Sequence, residues 1–382
     1  MNTFILGAKR TPIGSFQGAL TKLTAPELGA HAIRSATEDA TISADVIDEV
    51  FMGNVISAGL RQAPARQAAL NAGISEKTPT TTVNKVCGSG MQASMLGTDL
   101  ISVGRAKCIV AGGMESMTNA PYLVPKARLG LRMGHKTMQD AMFCDGLEDA
   151  ESGRSMGSFA QEIADLHQMT RDSMDEFAIG SLNKALHAMD SGALAKEIST
   201  LDELGEDEQP RKSRVDAIPT LRPAFAKNGT ITAANASSIS DGASAIVLAN
   251  EQVTSKTQVD PLARVVAHMS VALHPSQFVL APILAIRALL EKTGWQKESV
   301  DIFEINEAFA MVTMLAIQEL QLDPAKVNLY GGSCAQGHPL GSTGSRLIVT
   351  LAHAMRAQNF RRGIASLCIG GGEGTAIALE RN

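Results

Sequence analysis

Two cysteines far apart in the chain, each framed by glycine, are the residues whose types and settings point most directly to chemistry. Cys87 lies in Asn84-Lys85-Val86-Cys87-Gly88-Ser89-Gly90, and Cys368 opens Cys368-Ile369-Gly370-Gly371-Gly372-Glu373-Gly374. Between them runs Gly337-His338-Pro339-Leu340-Gly341. A thiolate attacks carbonyl carbon and holds the acyl group as a thioester. Histidine carries protons near neutral pH. Two thiols and one imidazole in tight loops therefore suggest covalent acyl chemistry with a separate proton carrier.

Each residue also has a plainer reading. Cys87 stands between a strand and a helix, where the positive helix terminus is expected to lower a thiol pKa and favour thiolate; the alternative is a buried structural cysteine. His338 is placed to activate a thiol or polarise a carbonyl, or else to cap a turn. The glycines after Cys368 allow backbone N–H groups to approach a ligand and form an oxyanion hole. A dinucleotide loop is the weaker alternative, because no helix follows the motif. Asn306 in Asn306-Glu307-Ala308-Phe309-Ala310 follows an apolar strand and reads as an N-cap at the start of a helix or as a polar group holding a catalytic water. Cys334 lies four residues before His338, but with no second such pair a metal site is not expected.

The elements that must position these residues repeat. Asp48-Glu49-Val50-Phe51-Met52-Gly53-Asn54 and Asp301-Ile302-Phe303-Glu304-Ile305-Asn306 both run an apolar strand into an asparagine, 252 positions apart. Val83-Asn84 and Val327-Asn328 each begin a turn towards a helix. The helices are predicted over 89–103 and 342–358, followed by strands over 108–113 and 364–372. Strand, helix, strand with short connections is a parallel βαβ signature, and two copies imply a duplicated α/β fold. Residues 118–239 break the pattern. They hold a helical stretch over 169–188, with Asp172 near its start and Gly192 past its end, and an acidic run followed by Arg211-Lys212-Ser213-Arg214. This segment reads as a looser inserted domain. The expected organisation is a discontinuous first core (1–117 and 240–259), the insertion (118–239) and a second core (260–382).

The bulk numbers fit two or three domains in 382 residues, with 45% apolar residues to build their cores. A net charge of -5 argues against a nucleic-acid partner. No run approaches 18 uninterrupted apolar residues, so no membrane span is expected. Five cysteines, an odd number without disulfide-like spacing, and an opening Met1-Asn2-Thr3-Phe4-Ile5-Leu6-Gly7 that reads as a strand suggest reduced thiols and a cytoplasmic location.

Taken together, N-x-x-C-x-S-G, N-E-A-F-A, G-H-P-x-G and C-I-G-G-G-x-G, in this order, resemble the thiolase family. The similarity also takes in Thr232-Ala233-Ala234-Asn235-Ala236-Ser237 and Gly294-Trp295. The resemblance implies a five-layered αβαβα fold with an inserted loop domain, and reversible Claisen chemistry on coenzyme A thioesters with no permanently bound cofactor. It implies that Cys87 carries the acyl group, that His338 activates it, and that Cys368 moves the α-proton. Asn306 would hold a water that shares one oxyanion hole with His338, and the N–H groups of Cys87 and Gly370 would form the other. Ser237, Met156, Phe309 and Leu221 are the implied coenzyme A contacts. Arg211 and Arg214 are candidates for the nucleotide end, since arginine suits phosphate. Relatives are dimers or dimers of dimers, so a homotetramer is expected. The basic cluster Lys126, Arg128, Arg132, His135 and Lys136 lies in the loop that helps assemble them, or is an ordinary solvated loop.

The chain departs from the family pattern in three places. Ser155 stands where biosynthetic relatives usually have histidine. Phe278 and Val279 replace methionine and glycine beside the acyl pocket, and their bulk favours short acyl groups. Gly331-Gly332-Ser333-Cys334-Ala335-Gln336 replaces the more usual G-G-A-I-A-L. The first reading is condensation of two acetyl-CoA to acetoacetyl-CoA. The alternatives are a degradative 3-ketoacyl-CoA thiolase, a ketoacyl-carrier-protein synthase, against which Cys368 argues, and a non-catalytic acyl-CoA binder.

Overall fold

The computed structural model describes residues 1–381. Its main strands are β1 (Thr3–Arg10), β2 (Glu49–Gly53), β3 (Thr80–Val83), β4 (Cys108–Ser116), β5 (Ser240–Ala249), β6 (Ala263–Ala272), β7 (Ile302–Ile305), β8 (Arg362–Ile369) and β9 (Glu373–Glu380). They form one ten-stranded sheet in the order β7-β8-β9-β6-β1-β5-β4-β2-β3, with the short strand Gly14–Ser15 beside β5. The main helices are α1 (Ala25–Asp39), α2 (Pro64–Asn71), α3 (Ser89–Ser102), α4 (Met156–Leu166), α5 (Arg171–Asp190), α6 (Ala281–Thr293), α7 (Ala310–Leu320) and α8 (Leu340–Ala357).

The duplication is visible in the pairing. In the first half β3 and β2 pair in parallel, as do β2 and β4, while β4–β5 and β5–β1 are antiparallel. The second half repeats this: β7–β8 parallel, then β8–β9 and β9–β6 antiparallel. The counterpart of β3 is a single parallel bridge between Phe303 and Val327. The halves join where β1 meets β6, with Phe4 opposite Arg264. Helices α1 and α2 cover the outer face of the first half and α6 and α7 that of the second, while α3 and α8 pack against each other between the two. This is the five-layered αβαβα order that the family resemblance implied. Separate apolar clusters fill the outer layer of the first half, the middle, and the outer layer of the second half.

The middle layer decides where the chemistry can sit, because both α3 and α8 begin at the same end of the sheet. Small residues let them meet there: a Cβ on Gly344 would press on the Met91 backbone of α3. A Cβ on Gly113, in β4, would collide with the Gly341 carbonyl oxygen. The loops before α3 and α8 therefore converge, and these carry Cys87 and His338.

The insertion is less loose than expected. Arg10 of β1, 1% exposed, is clamped between Glu197 and Asp207, each at 2.6 Å. Breaking a buried pair of this kind by removing one partner costs about 3–5 kcal/mol. The predicted helix over 169–188 is α5, shifted by two residues and capped by Thr170, whose side chain accepts the Ser173 N–H. Beyond β8 the chain turns through Gly370-Gly371-Gly372 into β9.

Candidate active site

Cys87 sits in a sharp elbow between β3 and α3. The Asn84 side chain accepts the Val86 N–H at 3.0 Å. Ser89 Oγ accepts the Lys85 N–H at 2.8 Å and donates to the Val86 carbonyl at 2.6 Å. These bonds hold Val86 at φ 46°, a left-handed conformation that a β-branched residue rarely adopts and that costs on the order of 1–3 kcal/mol. The sequence suggested that the helix terminus would lower the Cys87 pKa. Desolvation works against this: although the Cys87 residue keeps some surface exposure, its thiol lies in an apolar setting that pushes it up to about 11. The backbone N–H groups of Gly370 and of Cys87 itself pull the other way without prevailing, and the Glu115 charge adds to the rise. Cys87 therefore rests as a thiol and needs a base.

His338 has the attributes of that base. Its backbone N–H donates to the Ser238 carbonyl at 3.1 Å. Its Nδ1 lies 2.6 Å from Thr343 Oγ1, and Thr343 donates to the Pro339 carbonyl at 3.0 Å. A hydroxyl has one proton. With that proton on Pro339, Thr343 accepts from Nδ1–H, and Nε2 is left as the bare acceptor. Among the described residues Nε2 has no partner although it is buried. Burial, reinforced by the Arg346 charge, holds the imidazole down at about 3, so it is neutral at physiological pH.

Glu115, at the end of β4, fixes the His338 loop against the first half. Oε1 accepts from Asn54 Nδ2 at 2.8 Å and Ile56 N at 3.2 Å. Oε2 accepts from Val55 N at 3.0 Å and Gly341 N at 2.9 Å. Leu340 in turn packs with Val86 and Cys87.

Cys368 is buried near the end of β8, and its thiol is raised well above the ordinary range by burial and then by the nearby Cys87 charge. Two residues on, Gly370 lies near enough for its N–H to pull the Cys87 pKa down. Asn306 completes the set, but not as a helix cap. Its N–H donates to the Ser366 carbonyl at 3.0 Å and so extends the β7 ladder, whereas α7 starts only at Ala310 with Phe309 as N-cap. Asn306 Oδ1 accepts from Ser333 Oγ at 2.6 Å. Its Nδ2, fully buried, has no partner among the described residues. One thiol with two N–H donors, a second thiol nearby, a bare imidazole nitrogen and a free amide donor suit acyl transfer coupled to proton transfer. Among the described residues no group of three or more His, Cys, Asp or Glu is placed to hold a metal.

The expected coenzyme A contacts divide into two groups. Met156 lies beside the glycine turn, its sulfur and methyl within 3.9 Å of where a Cβ on Gly370 would be. Phe309 packs edge-on against Phe225 and Phe278, at centroid distances of 5.9 and 6.4 Å. Ser237 joins them, since its N–H donates to the Ala308 carbonyl at 3.0 Å. Leu221 and Arg214 line a cleft of about 200 Å³ together with Ser213, Ala233, Ser238 and Cys334. Arg211 is turned away to Glu206 and Asp190. Arg214, three-quarters exposed, pairs with Asp216 at 2.7 Å. Ser155 caps α4 by accepting the Ser158 N–H at 3.3 Å. Sequence reasoning missed Glu115, Thr343 and Ser333. Glu115 alone carried a signal, as the one acidic residue in the otherwise apolar or small strand β4.

Comparison with known proteins bears on this arrangement. The family model for "Thiolase, N-terminal domain" matches residues 3–252, and that for "Thiolase, C-terminal domain" matches residues 259–381. An acetyl-CoA acetyltransferase of Pseudomonas aeruginosa is 44% identical over 388 residues, covering 99% of each chain. One from Escherichia coli is 44% identical over 390 residues, covering 100% of this chain and 99% of the other. The crystal structure of the Acat5 thiolase from Ascaris suum in complex with coenzyme A superimposes with a TM-score of 0.96 at 41% identity, covering both chains completely.

Proposed function

This chain belongs to the thiolase family, and on that premise we propose that it is an acetyl-CoA acetyltransferase, joining two acetyl-CoA into acetoacetyl-CoA and free coenzyme A, and running the reverse thiolysis on the same site. The observation that carries the reading is the pair of buried, unpartnered groups left for substrate, His338 Nε2 and Asn306 Nδ2, in a site that also holds the Cys87 elbow and the buried Cys368.

The residue roles follow from proton bookkeeping. His338 Nε2 takes the Cys87 proton as sulfur attacks the first acetyl carbonyl, whose developing negative charge meets the N–H groups of Cys87 and Gly370. The thioester bond to coenzyme A breaks, and Cys368 gives its proton to the departing thiolate. Cys368 is then a thiolate beside the pocket and removes the α-proton of the second acetyl-CoA. The enolate oxygen faces His338, now protonated at Nε2, and Asn306 Nδ2 acting through a water. Enolate carbon attacks acetyl-Cys87, the carbon–sulfur bond breaks, and Cys87 recovers its proton from His338. Tethering the electrophile makes the carbon–carbon step effectively unimolecular.

Ser237, Met156 and Phe309 would hold the pantetheine arm, and Leu221 and Arg214 the part nearer the surface. Arg211 would join them only by leaving its acidic partners. The fully buried Val279 and nearly buried Phe278 support a short acyl group. The exposed apolar side chains Leu129, Met133 and Met138 support a tetramer assembled through that segment. Among the described residues no helix is long and apolar enough to cross a membrane, and the need for reduced Cys87 and Cys368 suits the cytoplasm. Thiolysis of acetoacetyl-CoA compared with 3-ketohexanoyl- and 3-ketodecanoyl-CoA tests the substrate. The reading predicts a steep fall in kcat/KM with chain length, and a preference for the longest substrate would replace it with the degradative one.

A further inference from the structure

Asn306 can donate into the site only if its amide is turned one way round, and an amide is nearly symmetric in shape. Three buried side chains remove the ambiguity. Arg346 Nη2 donates to Ser333 Oγ at 2.8 Å, and Ser333 Oγ lies 2.6 Å from Asn306 Oδ1. Ser333 and Asn306 are 0% exposed and Arg346 is 1% exposed. A guanidinium offers donors only, and a hydroxyl has one proton. Arg346 takes one acceptor lone pair of Ser333, and among the described residues Asn306 Oδ1 is the acceptor recorded for the hydroxyl proton, which a flipped amide would leave unpartnered. Satisfying that proton favours oxygen at Oδ1 and leaves the NH2 group as the unpartnered donor.

We propose that Ser333 is a positioning residue that relays the donor-only character of Arg346 to Asn306, locking the amide with Nδ2 towards the enolate of the second substrate. The inference rests on the role proposed above for Asn306. It concerns the carbon–carbon step alone, because acetylation of Cys87 uses the N–H groups of Cys87 and Gly370. Sequences of this family more usually carry alanine at this position. The hydroxyl is then this chain's own addition to the site, and its removal should slow the reaction rather than abolish it.

The test compares wild type, Ser333→Ala, Asn306→Ala, the double variant and Ser333→Thr, all full length. Single-turnover acetylation of Cys87 by acetyl-CoA and steady-state condensation are measured for each. One lost hydrogen bond of about 0.5–1.5 kcal/mol predicts condensation slowed roughly 2- to 12-fold in Ser333→Ala. Acetylation and KM should stay at wild-type values. Ser333→Thr, which keeps the hydroxyl, should recover most of the rate. The double variant should be no slower than Asn306→Ala, since Ser333 acts only through that residue. Additive losses in the double variant, equal slowing of acetylation, or wild-type condensation in Ser333→Ala each overturn the inference. Wild-type protein that is acetylated but does not condense would sink the functional reading and the inference with it, whereas a condensing wild type with additive losses overturns the inference alone.

Discussion

Replacing Glu115 with glutamine should unseat the His338 loop, while the same change at Glu304 should leave the fold at least as stable as before. Both side chains are completely buried. The Glu115 carboxylate accepts four N–H bonds, two on each oxygen, and burial sets its pKa at about 7 against the pull of the backbone donors. In Glu115→Gln the NH2 group must face one of those donor pairs. Two buried donors left unsatisfied at about 1–3 kcal/mol each set the loss at roughly 2–6 kcal/mol. The Gly341 N–H, two residues beyond Pro339, belongs to one of those pairs, so turnover should fall along with stability wherever the amide turns to that side. Glu304 has no partner on either oxygen among the described residues, and burial raises it to about 8. At pH 7.5 it is mostly the neutral acid, for which glutamine is an isostere that folds without taking up a proton, so Glu304→Gln should not destabilise the protein and should be more stable than wild type at this pH. The sign of the pH dependence follows. Folded protein keeps the Glu304 proton up to about pH 8, whereas the ordinary value is 4.5, so this group's contribution to stability declines as pH rises between those values. The slope is at most about 1.4 kcal/mol per pH unit, and Glu304→Gln removes it. Thermal unfolding of both variants at pH 7.5, with wild type scanned from pH 5 to 8.5, checks the argument. Equal losses in the two variants, or a Glu115→Gln protein as stable as wild type, would refute it.

Val86→Gly should relax the elbow. Relief of on the order of 1–3 kcal/mol of strain is offset by the lost side chain and the added freedom of the unfolded chain. Thermal stability should therefore hold to within about 1 kcal/mol while acetylation of Cys87 slows, and an unchanged acetylation rate would show that the strained conformation is not needed. With its thiol pushed up to about 11 and His338 held down at about 3, Cys87 should be alkylated by iodoacetamide at a rate that climbs steadily from pH 6 to 9. Mass mapping of the alkylated peptide reads this directly, and a plateau below pH 7 would mean a preformed thiolate–imidazolium pair instead.

The residues proposed to carry the chemistry were legible because each lies in a short contiguous motif. Cys87, His338, Asn306 and Cys368 all follow or precede an apolar run that ends in glycine or asparagine, and this pattern also gave away the duplicated βαβ units. What could not be read depends on contacts between distant segments. Glu115 meets Asn54 across 61 positions and Gly341 across 226, and no local pattern encodes that cage. Asn306 looked like a helix start because Asn-Glu is good capping chemistry, yet its N–H pairs with Ser366 of the neighbouring strand, and tertiary pairing overrode the local preference. The Cys87 pKa went the other way from expectation for the same reason, since the helix terminus is local and desolvation belongs to the whole fold. Arg211 fitted phosphate by residue type, but the acidic run just before it and Asp190 supply nearer partners.

Intact-protein mass spectrometry after exposure to acetyl-CoA tests the central claim most directly, with wild type beside Cys87→Ala and Cys368→Ala. The account predicts a single added acetyl group on wild type, none on Cys87→Ala, and retained labelling without condensation on Cys368→Ala. An acetyl group that persists on Cys87→Ala, or a wild type left unlabelled by acetyl-CoA and by acetoacetyl-CoA alike, would contradict it.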